Sequence, residues 1–97
     1  MRLQPQAYAR AYFYDAMANF NLRRLKEAES SAREAIQADT SHAFPLAEYL
    51  LGMSLAERNE AAGAAEHLAL FLELEPRSTF APSAMARLTQ VRGLAKP

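Results

Sequence analysis

The side chains able to do chemistry in this chain are few, and their spacing works against catalysis. His42 and His67 are the only histidines and stand 25 residues apart. No His-Glu-x-x-His or comparable ligand spacing surrounds either one, so neither begins a metal site. His42 sits among turn residues, where a surface or capping role is expected. His67 follows Glu66 within an apolar periodic stretch and reads as a solvated or half-packed helical histidine. Glu73 and Glu75 are two apart, a spacing that does not bring helical side chains face to face. Ser30 and Ser31 lack the strand-turn-helix elbow of a nucleophile. No glycine-rich phosphate loop is present. Arg23, Arg24 and Lys26 form a short basic corner of the kind found on solvated turns. The absence of cysteine excludes disulfides and thiolate ligands. These residues predict no catalytic group, no metal and no cofactor. An enzyme or metal protein built on His42 or His67 is the weakest of the functional readings.

The elements that would carry such residues are helical. Ala, Leu and Glu dominate, and only 3 Gly and 5 Pro interrupt them. With 51% hydrophobic and 23% charged residues the chain is too apolar for a disordered tail. At 97 residues it is one domain or less, short for a globule standing alone. The net charge is zero, and neither half is basic: residues 1–40 hold six Lys/Arg against five Asp/Glu, and residues 41–97 five against six. Nucleic acid is therefore not the expected ligand. No apolar run approaches the roughly 18–20 residues of a membrane span. Met1-Arg2-Leu3-Gln4-Pro5 lacks the apolar stretch of a signal peptide, and cytoplasm and periplasm both stay open.

Apolar residues recur at helical spacing in five stretches, about 6–22, 25–38, 44–57, 60–74 and 80–94. The first has Ala9, Phe13, Ala16 and Phe20 on one stripe; the second has Ala28, Ala32 and Ala35. The third carries Leu46, Tyr49, Leu50 and Met53, and the fourth Ala64, Leu68, Phe71 and Leu72. In the fifth, Met85, Leu88, Val91 and Leu94 are expected inward and Arg87 and Arg92 outward. Asn59 suits a left-handed turn residue. Asp39, Thr40 and Ser41 offer side-chain oxygens at the second break. Pro45 and Pro82 fit first turns, Pro76 stops the fourth helix, and Ser78 or Thr79 can cap the fifth. No stretch alternates as a strand does.

The helices repeat in pairs. Ala16 and Gly52 are 36 apart, as are Ala28 and Ala64, and residues 25–36 align with 61–72 at the same offset. Leu3-Gln4-Pro5 echoes Leu74-Glu75-Pro76 71 residues on, with Thr40 between them. The period is 35–36 residues, two helices to a unit.

This pattern resembles the tetratricopeptide repeat, a unit of two antiparallel helices, and most of all its divergent bacterial members. Ala16 and Gly52 match the family's small residue in the middle of the first helix. Ala28 and Ala64 match its early Ala in the second helix, and Ala35 its later small residue, where the second unit has Phe71. Pro76 matches the family's closing Pro; Thr40 does not. Tyr12 matches its first-helix aromatic, but Glu48 stands there in the second unit. Arg23 and Asn59 replace its turn Gly; a left-handed Arg23 costs about 1 kcal/mol relative to Gly. Asp15 and Asn19 occupy positions the family fills with apolar residues. Ser41 to Pro45 carry about two residues more than its consensus. The resemblance covers nearly the whole chain.

The resemblance implies an all-α fold, with antiparallel helix pairs stacked as an α-solenoid. One domain, 1–97, would hold repeat 1 at about 7–40, repeat 2 at about 43–76 and a capping helix at about 79–94. Arg2-Leu3-Gln4-Pro5 reads as the tail of a preceding repeat, so a piece of a longer protein is expected. In the family the first helices of each pair line a concave face. That register places Arg10, Phe13, Met17 and Asn21 on the groove in one unit, and Tyr49, Met53 and Glu57 in the other. Phe13, Met17, Tyr49 and Met53 serve equally as packing between adjacent helices. The family's chaperone-binding members clamp a carboxylate with Lys, Arg and Asn. Phe13, Met17 and Leu50 stand where clamp residues belong, so no such clamp is expected here. The expected role is a non-catalytic scaffold holding a partner protein or peptide. The alternative is a structural module that packs on neighbouring repeats or, through exposed ends, on a second copy as a homodimer.

Overall fold

The computed structural model of the chain describes residues 4–95. Arg2 and Leu3 of the N-terminal echo lie outside the described residues, as does the side chain of Leu94. Five helices follow one another: α1 (Pro5–Asn21), α2 (Leu25–Ala38), α3 (Leu46–Glu57), α4 (Ala61–Leu74) and α5 (Ala81–Ala95). No strand occurs among the described residues. The fold is all-α, and it measures 50 × 27 × 22 Å.

Helices succeed one another through two matching turns. The Arg24 amide donates to the Asn19 carbonyl at 2.8 Å and the Arg23 amide to that of Phe20 at 3.0 Å. Thirty-six positions on, Glu60 donates to Leu55 at 2.9 Å and Asn59 to Ala56 at 3.1 Å. This pair of bonds closes a helix over a left-handed residue. Arg23 and Asn59 are those residues, at φ 63° and 64°. The turns are short, so α1 folds back on α2 and α3 on α4; the Gln6 amide at the start of α1 accordingly reaches Asp39 at the end of α2, at 2.7 Å.

The loop between α2 and α3 is organised by Asp39. Its carboxylate accepts the Ala43 and Phe44 amides at 2.9 and 2.8 Å, besides the Gln6 bond. His42 takes a left-handed conformation, φ 53°, to let the chain reach those bonds. The capped loop uses Phe44 and Pro45, so α3 starts at Leu46, two residues later than its apolar pattern predicts. Before α5, the Phe80 amide donates to the Ser78 hydroxyl at 3.1 Å, and Pro82 follows in the first turn.

The core lies around α3, which touches α1, α2, α4 and α5. This is why its sequence has no sustained polar face. Leu51, Leu55, Leu68 and Phe71 are its largest fully buried apolar side chains. Small residues set the spacing: Ala9, Ala16, Ala28, Ala32, Ala35 and Ala64 are all wholly buried. At Gly52 a Cβ would lie 2.7 Å from Leu68 Cγ and 3.1 Å from the Leu68 amide nitrogen, so α3 and α4 meet through a missing side chain.

Asp15, Asn19 and Glu48, polar residues at apolar positions, are satisfied in pairs, whereas the buried Ser54 hydroxyl has no partner among the described residues. Asp15 accepts the Ser31 hydroxyl, and the Asn19 amide at 3.1 Å. Glu48 is only 8% exposed, and its Oε1 lies 2.6 Å from His67 Nδ1, a polar link between α3 and α4. Two expectations for the fifth helix are corrected. Met85 points to solvent at 58% exposure. Arg87 turns in and pairs with Glu57 of α3. Ala84, Leu88 and Val91 form the buried stripe of α5, and Arg92 is exposed. Met85 and Arg87 flank that stripe on opposite sides at about 3.6 residues per turn, and the flank carrying Arg87 is the one beside α3.

Gly52→Val should cost about 3 kcal/mol in urea unfolding, because buried Leu68 cannot withdraw. At Gly93 a Cβ would meet nothing within 4 Å, so Gly93→Ala should be tolerated with a gain of about 0.5 kcal/mol. A Gly52→Val protein with the wild-type unfolding midpoint would show that the α3–α4 distance is not set here.

Candidate partner-binding face

α3 lies between α1 and α5 and contacts both. Along the α3–α5 seam runs an open depression of about 410 Å³, lined by Met53, Glu57, Ser83, Ala86, Arg87 and Gln90. A smaller polar hollow of about 210 Å³ shares Glu57, Arg87 and Gln90 and adds Asn59. Met53, half-buried, and Ala86 supply apolar surface, and Glu57, Ser83, Arg87 and Gln90 supply polar groups.

Glu57 is the electrostatic hub. It accepts Arg23 at 2.8 Å and also pairs with Arg87. Arg87 donates further to Gln90 Oε1 at 2.9 Å, while its Nε is buried without a hydrogen-bond partner among the described residues. The guanidinium is thereby pinned by two partners, and its Nε, shut off from solvent, is not offered to a ligand. The polar groups that a bound backbone or side chain can meet in the depression are the Glu57 carboxylate, the Ser83 hydroxyl and the Gln90 amide. The next residue, Arg58, pairs with Glu29 of α2, which also meets Arg33 at 3.3 Å. The end of α3 is thus tied by charge to α2, α5 and the α1–α2 turn.

Of the seven groove residues expected from the sequence, the structure gathers Met53 and Glu57 in this depression. Arg10 and Asn21 are exposed on α1, away from it. Phe13 and Tyr49 are each 7% exposed and spend their rings inside. Phe13 stacks on Phe44 with centroids 5.1 Å apart, and Tyr49 packs on Phe71 and Phe80 at 5.2 and 5.1 Å. Met17 is half-buried against the core. The residues that sequence reasoning missed are those of α5: Ser83, Ala86, Arg87 and Gln90. Their signal was present in the spacing, since Arg87 lies three residues after Ala84 and four before Val91 on the buried stripe.

Among the described residues no three His, Asp or Glu side chains are grouped to hold a metal, and no helix is long and apolar enough to cross a membrane. Comparison with protein-family models, with curated proteins and with solved structures returns no match to the chain.

Two carboxyls titrate below their ordinary range. The Arg23 hydrogen bond, opposed by burial and aided by the charges of Arg87 and Arg23, lowers Glu57 from 4.5. Burial pushes Asp39 up from 3.8, but the bonds from Gln6 and the Ala43 and Phe44 amides, with the nearby His42, outweigh it and leave the group lowered. A carboxyl with a depressed folded-state pKa stabilises the fold above its ordinary value, and that contribution fades as pH falls through the lower folded value. Glu57→Gln and Asp39→Asn should therefore each cost about 1 kcal/mol at pH 7, and the cost should shrink as pH is lowered past the groups' ordinary values. Urea titrations followed by circular dichroism at pH 7 and at lower pH measure this. A deficit of equal size at every pH would assign it to packing rather than to charge.

Proposed function

We propose that the chain is a tetratricopeptide-type α-solenoid segment, two helix-pair repeats closed by a fifth helix, that works as a non-catalytic scaffold for a partner protein or peptide. What supports the repeat reading is the turn geometry recurring at the 36-residue offset, together with Gly52 and Ala16 at matching close approaches. The partner is received on the face made by α1, α3 and α5. The single observation carrying this role is the depression along the α3–α5 seam. It offers an apolar side chain, Met53, beside the Glu57 carboxylate, the Ser83 hydroxyl and the Gln90 amide, a combination suited to peptide backbone and side chains. Panning a displayed random-peptide library against the full chain should enrich binders. Their affinity should fall about tenfold on Met53→Glu, with the helical circular-dichroism spectrum retained. Absence of enrichment, or binders indifferent to Met53→Glu and Gln90→Ala alike, would remove this reading.

One observation favours self-assembly as the second reading. Tyr8 and Tyr12 of α1 are about two-fifths exposed, whereas the residues 36 positions on, Phe44 and Glu48, are half-buried and buried against their neighbours. Light scattering of the full chain at high protein concentration decides it: self-assembly predicts a dimer or larger species, and a strict monomer excludes it.

A further inference from the structure

At the other end of α3 lie two adjoining hollows that the partner-binding face does not use. One, of about 230 Å³, runs between Ile36, Leu70 and Leu74. The other, of about 370 Å³, runs between Phe13, Phe71 and Phe80. They share Phe44, Pro45 and Glu75 as a common wall and together wrap the α2–α3 loop. Their walls are apolar, and part of that apolar surface faces water: Leu70, Leu74 and Phe80 are 36, 45 and 43% exposed. Contiguous exposed apolar surface of this kind marks a contact site.

The charge around these walls has one sign. Asp39, Glu48 and Glu75 line them, and no lysine or arginine does; His42 is the sole basic side chain in the lining. Asp39 is kept ionised by the amides it accepts. Glu48 is turned to His67. Glu75 has no Lys, Arg or His nitrogen within 4 Å among the described residues, so its charge is open to an incoming group. An anionic ligand would meet the carboxylates of Asp39 and Glu75 at the rim. A purely apolar one would leave Glu75 at the edge of a dry contact without a counter-charge.

We propose that these hollows form a second docking surface, which takes a peptide segment of a partner protein carrying large apolar side chains flanked by lysine or arginine. The apolar side chains enter between Leu70, Leu74 and Phe44, and the flanking cations reach Glu75 and Asp39 at the rim. Rim pairs of this sort set selectivity and salt dependence more than raw affinity. The proposal shares with the scaffold reading only the class of ligand. It stands on different residues, so either can fail alone.

The experiment is an amide NMR titration of the full chain, isotopically labelled, with two synthetic peptides. One has a pair of central leucines between flanking lysines; its twin has glutamates in place of the lysines. The lysine peptide should shift the amides of Phe44, Leu70, Leu74 and Glu75, and the twin should bind about tenfold more weakly. Glu75→Gln should weaken the lysine peptide about threefold with the melting temperature unchanged, since this exposed side chain holds nothing else. Equal binding of both peptides overturns the proposal, as does binding of neither. Shifts confined to Met53, Glu57 and Gln90 overturn it too, while leaving the scaffold reading in place. Shifts at Phe44 and Leu74 that grow with protein concentration alone would name a second copy as the occupant, and overturn it likewise.

Discussion

The contact on which the other packing depends is the one between Gly52 and Leu68. A helix reaches its neighbour only as closely as the side chains between them permit, and here one of those side chains is absent. With Leu68 seated over Gly52, α4 lies near enough to α3 for Glu48 to meet His67 at 2.6 Å and for Phe71 to reach the ring of Tyr49. Phe71 and Leu68 in turn are wholly enclosed. Wider separation at Gly52 would open the polar link and the aromatic contact together. The α1–α2 pair solves the same problem with Ala16, Ala28, Ala32 and Ala35, which leave room without surrendering helix propensity.

Much of this was legible in the sequence, for a physical reason. Helix ends are fixed by local chemistry, and Asn59, Asp39, Pro76 and Ser78 announce it within a few residues. Arg23 was harder to read, since an arginine is not an obvious left-handed residue; only its position 36 before Asn59 marked it. The start of α3 was displaced because Asp39 holds two amides that periodicity cannot see. Where an apolar stripe lies was also legible, down to Leu88 and Val91. Which flank of a stripe meets the next helix was not. Met85 and Arg87 sit symmetrically about theirs, and hydrophobicity alone favours burying methionine. The outcome reverses this because Glu57 waits on the arginine side. A half-buried arginine that finds its partner and packs its aliphatic stem keeps part of its hydration and so escapes the full desolvation cost.

The groove residues were less legible for a related reason. A register read from a family places a position on a face, but it does not say how far the neighbouring helix overlaps it. Phe13 and Tyr49 lie on the odd-numbered helices as expected, yet aromatic residues from the loops close over them. Phe44 stacks on one, and Phe80 on the other. Phe44 and Phe80 stand 36 positions apart, as Phe13 and Tyr49 do, so the cover itself recurs at that offset; hydrophobic periodicity within each helix does not reveal it, because both covering rings lie outside the helices. Met53 and Glu57 remain accessible because they lie nearer the end of α3, beyond the reach of Phe80.

A formal charge of zero conceals a strong division along α3. Its first turn carries Glu48 and lies beside Asp39 and Glu75; it ends on Glu57, with Arg58 following at the cap, among ion pairs of four arginines and two glutamates. The division follows the helix dipole. Peptide N–H groups at the start of a helix favour carboxylates, and carbonyls at its end favour guanidinium groups. What steadies α3 as a helix therefore also gives its two ends opposite electrostatic character. At the arginine-rich end each of these charges has an ion-pair partner, and the pairs tie α2, α5 and the α1–α2 turn together. The acidic end spends only part of its own: Asp39 is occupied by amides, which satisfy its oxygens without neutralising its charge, and Glu75 is unpaired. Uncancelled negative potential is thus concentrated where the apolar wall of Leu70, Leu74 and Phe44 is exposed.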